Sequence, residues 1–196
     1  MNARTIINEY LKDRNITDDI WYTVCSHYID YNSTAVLDDF KDANGKYLLT
    51  ESDLRSEMKA FISYYYKMNN GIKWKYTHPL DEIDELVKDF EETAAFKLPI
   101  WYIYLVRKYN RGRPNLDTID INGREITLKS FITFEKDMTE SIWTFSRDNG
   151  IVFANDNFGN SFCFNTTGGG IAFINHETDE KFNVCESFIE FIEMLS

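Results

Sequence analysis

Cysteine is scarce in this chain. Cys25, Cys163 and Cys185 are the only three among 196 residues, odd in number, far apart and never in a C-x-x-C pair. That pattern excludes a disulfide framework and a structural zinc site. It leads to the expectation of reduced core thiols in a cytoplasmic protein. Long apolar runs are missing too. No stretch approaches the roughly 20 residues of a membrane span, and Met1 to Tyr10 lacks the apolar core of a secretory signal. The sequons at Asn15, Asn32 and Asn165 therefore carry little weight.

Catalytic signatures are equally thin. His176-Glu177 follows an apolar run, but H-E-x-x-H is not completed because position 180 is Glu, and His27 and His78 have no partner at metal-ligand spacing. Cys163 and Cys185 lack a local base motif, so buried structural thiols are the better reading. Gly168-Gly169-Gly170 leads into the apolar run Ile171–Ile174 rather than into Lys-Ser/Thr and a helix, which excludes a P-loop. Asn155–Asn160 has its Gly one place early for a calcium loop, and no Glu closes twelve residues. The chain is read as a non-enzyme without cofactor or metal.

What is present is a packed, acidic, aromatic chain. Hydrophobics make up 43% and aromatics 16%, too many for a disordered segment. The length suits one domain with a helical extension. The net charge of −11 is uneven: residues 1–75 hold 10 Lys/Arg against 11 Asp/Glu, residues 76–196 hold 11 against 21. Such a field repels nucleic acid and anionic membranes, so neither is expected as a partner, and it speeds encounter with basic proteins. Acidity that serves only solubility remains the alternative.

The first third reads as helices. Ile6, Ile7, Tyr10 and Leu11 share one face over residues 3–13, and Thr17 caps a second helix through Tyr31 with Ile20, Trp21, Val24, Tyr28 and Ile29. Thr50 with Asp53 forms a capping box opening a third helix to about Met68, striped with Leu54, Met58, Phe61, Ile62 and Tyr65. The run Tyr64–Tyr66 is read as packing, since no basic groove accompanies it. Asn69-Asn70-Gly71 to Pro79 breaks the pattern. The expected domains are a helical extension, 1–75, and an α+β domain, 76–196.

In the second part an acidic helix, Asp81 to Phe90, places Ile83, Leu86, Val87 and Phe90 inward. Leu98-Pro99 opens a further helix that ends at Asn110-Arg111-Gly112-Arg113-Pro114. Asn122-Gly123 between alternating runs is a hairpin signal, because a type I′ turn needs positive φ at both positions. Residues 137–145 form an ambiguous, helix-prone bridge. The runs Ile151–Ala154, Ser161–Phe164 and Gly170–Ile174 then make a meander, closed by an amphipathic helix from Glu186 to Leu195.

Several of these pieces, in this order, resemble the SUKH superfamily, which includes a yeast cell-wall-synthesis regulator and many bacterial immunity proteins. They are Phe90-Glu91-Glu92, Leu98-Pro99 with Trp101–Leu105, the Asn110–Pro114 loop, Lys129–Phe134, Ile151–Phe164, Ile174–Glu177 and Glu186–Ile192. Arg111 departs from the family's Asn-Gly-Gly. The resemblance implies an α+β fold: a helical N-terminal region, then a twisted, mainly antiparallel sheet with a C-terminal helix packed on it. It also implies a non-catalytic module that neutralises a polymorphic toxin, such as a nuclease, by binding a basic toxin domain. A regulatory scaffold is the alternative. The carboxylates expected to meet that partner are Asp117, Asp120, Asp148, Asp156, Glu177, Asp179 and Glu180, each at a predicted turn or strand end where it would face solvent.

Overall fold

Thr50 closes a capping box in the computed structural model of the chain, which describes residues 3–31, 35–80, 82–135, 146–147 and 150–196. Its Oγ1 accepts from the Asp53 N–H at 3.1 Å, and Asp53 Oδ2 accepts from the Thr50 N–H at 3.3 Å. This starts α3 (Glu51–Tyr66), which buries Leu54, Met58, Phe61 and Tyr64. Earlier come α1 (Ala3–Asp13) and α2 (Asp18–Tyr31), the latter begun by Thr17, whose Oγ1 accepts from the Ile20 N–H. Trp21, Cys25 and Tyr28 form the inward stripe of α2. Ile20 lies one step off that stripe and is 55% exposed, contrary to expectation. Of the three tyrosines, Tyr64 is buried and Tyr65 stacks on Tyr22 at 4.1 Å, whereas Tyr66 faces solvent. These helices belong to one compact unit, Met1–Asn69; the other is Asn70–Ser196. The division precedes residue 75, since β1 (Trp74–Lys75) pairs with β2 (Arg113–Pro114) inside the second unit.

The second unit is α+β. Helix α4 runs from Asp84 to Ala94 and α5 from Ile100 to Tyr109. The α4 start is later than its sequence suggests. The N–H groups of His78 and Leu80 donate to the carbonyls of Asn110 and Arg107, which holds residues 78–80 alongside the end of α5. Glu91 explains the acidic end of α4. It is buried, and its carboxylate accepts from the Leu98 N–H at 2.9 Å and Lys97 Nζ at 2.8 Å, closing the link to α5. Every residue from Ile100 to Val106 is buried, so α5 is a central helix rather than a one-faced one.

Seven antiparallel strands follow among the described residues: β3 (Thr118–Ile121), β4 (Arg124–Phe131), β5 (Ser146–Arg147), β6 (Gly150–Asp156), β7 (Ser161–Asn165), β8 (Ile171–Ile174) and β9 (Lys181–Cys185). Their order is β3-β4-β6-β7-β8-β9, with β5 also on β6. Ile121 pairs with Arg124 across Asn122-Gly123, whose φ values of 54° and 81° are those of a type I′ turn. The bridge at 137–145 lies outside the described residues.

Phenylalanines fuse sheet and helix. The closing helix α6 (Phe188–Met194) is capped by Ser187 and buries Phe188, Ile189, Phe191 and Ile192, with Leu195 buried just beyond it. Phe191 meets Phe153 and Phe162 at 5.0 and 5.1 Å, and Phe153 stacks on Phe164 at 4.5 Å. Tyr102 on α5, in the same unit, reaches Phe188 at 5.4 Å edge-on. The opposite sheet face carries a second buried cluster: Val152, Cys163, Ala172 and Ile174.

The loop after α5 carries Arg111 at a position where the sequence resemblance leads one to expect glycine. Arg111 takes φ 61° itself, a left-handed conformation costing about 1–2 kcal/mol in a non-glycine residue. Gly112 is the position that must stay bare, because a Cβ there would stand 2.6 Å from the Tyr109 carbonyl and 2.8 Å from the Trp74 ring. Asn110 anchors the turn by a two-point bond to the Phe134 backbone, donating from Nδ2 at 2.9 Å and accepting at Oδ1 at 2.7 Å.

Candidate functional site

Register places three turns at one end of the sheet. Leu128 faces Asp156, so the β3–β4 tip extends past the end of β6; Ser161 faces Ile174, so the β6–β7 and β8–β9 turns emerge together. Five strand steps of about 4.8 Å separate β3 from β9, so this edge is roughly 24 Å wide.

The centre of that edge is built on a buried carboxylate. Asp156 Oδ1 accepts from the N–H groups of Phe158 and Asn160, both at 2.8 Å, and Oδ2 accepts from Asn160 Nδ2 at 2.7 Å. Asp156 is 3% exposed, which corrects the expectation that it faces solvent. The physical reason is local: a carboxylate at a turn satisfies three donors that the turn would otherwise leave unpaired. Asn160 then couples the two turns. Its Oδ1 accepts from the His176 N–H at 3.0 Å and lies 3.0 Å from His176 Nδ1, so the ring nitrogen there is the donor. The His176 ring rests against Gly159. In the β8–β9 turn Asn175 Oδ1 accepts from the N–H groups of Glu177 and Thr178.

These bonds leave Phe158 at the tip, 79% exposed, the most exposed large apolar side chain among the described residues. Beside it the neighbouring turn carries exposed Glu177, Asp179 and Glu180. The other candidates scatter. Asp120 is exposed at the β3–β4 tip, where its Oδ1 accepts from the Gly123 N–H. Asp117 is half-buried, 3.8 Å from Arg113. Asp148 lies outside the described residues. Reading by charge passes over Phe158 and Asn160. The available signal was Asp156-Asn157-Phe158-Gly159-Asn160 itself, an aromatic at the crest of a polar turn.

A sequence profile of the SUKH_6 family, described as SMI1-KNR4 cell-wall, matches residues 84–192. The chain belongs to the SUKH family. No curated protein matches it. The matched segment of this SUKH protein runs from the start of α4 to α6, and so contains Glu91, Asn110 and the Asp156–Asn160 turn. Glu91, Asn110, Asp156 and Asn160 hold backbone together through their side chains rather than face solvent as reactive groups.

The thiols of this SUKH protein do not suit nucleophilic chemistry. Burial pushes the Cys163 thiol up, and burial pushes Cys185 up to about 12. A nucleophilic cysteine needs the reverse shift. Among the described residues no group of three or more His, Cys, Asp or Glu is placed to hold a metal ion, and no helix is long and apolar enough to cross a membrane.

Proposed function

We propose that this chain is a non-catalytic protein-binding module of the cytoplasm, an immunity protein that neutralises a polymorphic toxin by covering a basic surface on its toxic domain. The observation that carries this reading is the sheet end. An exposed Phe158 stands on a turn pinned by buried Asp156, beside the exposed carboxylates Glu177, Asp179 and Glu180. Aromatic anchors bounded by charge are what protein interfaces use: the ring supplies buried area at its centre, the charges supply steering and register. Asp117 and Asp120 extend the same sign towards β3, and membership of the SUKH family fits either immunity or regulation. A nuclease toxin, whose substrate groove is basic, is the partner chemistry this end complements best.

Co-expression with basic nuclease toxin domains tests the reading. Cells should survive with the intact chain, and Phe158→Ala combined with Glu177→Lys and Asp179→Lys should abolish survival while the chain still folds. Survival that needs no contact with this protein, or turnover of a substrate by the purified chain alone, would overturn the proposal. A stable complex with a signalling or cell-wall protein, without protection from any toxin, would instead favour the regulatory reading.

A further inference from the structure

Charge in the second unit is divided more sharply than the net value suggests. Residues 70–80 and 107–116 hold six Lys/Arg and no Asp/Glu, whereas the rest of residues 70–196 hold seven against 21. The β1–β2 pairing brings these two segments together, Trp74 opposite Pro114 and Lys75 opposite Arg113. Like charges directly across an antiparallel pair destabilise it, with Cβ atoms only about 5 Å apart. Lys73 and Lys75 lie on one side of the strand, about 7 Å apart, and exposed Arg111 adds to the same ribbon. Of the six, Arg107 is bonded to Asp84 at 2.9 Å and Arg113 lies 3.8 Å from Asp117, whereas Lys73, Lys75 and Arg111 form no salt bridge among the described residues.

The ribbon is also packed from its inner side and carries an exposed aromatic. Trp74 stacks on Tyr109 at 4.8 Å and packs over Gly112, which fixes the inner side. Tyr76 follows at φ 58° with its side chain 74% exposed, an uncommon conformation for a bulky residue. Tyrosine and arginine are the residue types on which protein interfaces concentrate their energy.

We infer that the β1–β2 ribbon is a second docking surface, of opposite sign to the sheet end, that takes an acidic extended segment of a protein partner. Alternate carboxylates of an extended strand recur at about 7 Å, the spacing of Lys73 and Lys75. A nucleic acid fits less well. It needs a basic track along its backbone, and the acidic remainder of the unit repels a polyanion wherever it leaves this short ribbon. The inference requires only that the chain binds proteins, not that its partner is a toxin.

The test is fluorescence anisotropy of the full chain with a labelled ten-residue poly-glutamate peptide and, in parallel, a labelled ten-nucleotide poly-uridine strand, at low and physiological salt. The peptide should bind, with affinity falling as salt rises. Lys75→Glu should weaken it at least tenfold while the melting temperature holds or rises, because the variant places opposite charges across the ribbon. Loss of binding then cannot be blamed on unfolding. No peptide binding by the natural chain, unchanged binding by Lys75→Glu, or tighter binding of the oligonucleotide through the same lysine would each overturn the inference. Because the probe is synthetic, a failed toxin-protection assay leaves this result standing, and a failed peptide assay leaves the toxin assay standing.

Discussion

Phe153 and Phe158 lie five residues apart on one strand and its turn, and their surroundings are opposite. Phe153 sits among Phe131, Phe164, Phe188 and Phe191 with no exposure, whereas Phe158 stands in solvent. Asp156 and Asp179 repeat the contrast for carboxylates: the first is buried beneath three donors, the second is exposed. Residue type alone does not separate framework from surface in this unit. What separates them is which backbone groups need partners, and the sheet end meets that need with Asp156, Asn160 and Asn175, which frees Phe158 and the Glu177–Glu180 turn for contact.

The largest effect should come from the interior. Phe188→Ala should cost about 3–5 kcal/mol in denaturant unfolding, because the ring is enclosed by other aromatics. Phe158→Ala should change stability by less than about 0.5 kcal/mol, as exposed positions do. A loss above about 1 kcal/mol for Phe158 would erase the contrast.

A middle effect belongs to the buried carboxylates. Asp156→Ala strands the Phe158 and Asn160 N–H groups and should cost about 1–3 kcal/mol. Hydrogen exchange should quicken first in residues 157–160 and, through Asn160, near His176. Asp179→Ala, made in parallel, should leave both stability and exchange unchanged. Glu91→Ala should resemble Asp156→Ala, since it strands the buried Leu98 N–H.

How much of this was legible in the residues follows the same division. Periodicity and capping chemistry reveal α1, α3 and the buried stripe of α6, because each rests on neighbours within one or two turns. Asn122-Gly123 reveals its hairpin for the same local reason. Chain pairing over long separations is not legible in that way. The full burial of α5, the late start of α4 and the joining of Lys75 to Arg113 depend on contacts tens of residues away. The candidate carboxylates divide likewise: Glu177, Asp179 and Glu180 are exposed in one turn, Asp120 is exposed apart from them, and Asp156 is drawn inward by donors that only the folded turn presents.

A further effect is confined to high pH. Burial raises the Cys185 thiol from 9.0 to about 12 in the folded chain. Its contribution is therefore fully present below pH 9 and is lost as pH rises from there towards 12, as the unfolded thiol ionises first. Cys185→Ser should flatten that fall in stability and leave the curve below pH 8 unmoved.

The central claim is that the sheet end meets a basic partner, and the association rate with a toxin domain from which this chain protects cells tests it most directly. Stopped-flow mixing of the natural chain and of Glu177→Lys/Asp179→Lys/Glu180→Lys across a salt series reads steering alone, since exposed charges are screened within about 8 Å at physiological salt. The account predicts association at least tenfold slower for the triple variant, with the salt dependence flattened. Identical rates and identical salt slopes for the two chains would contradict it.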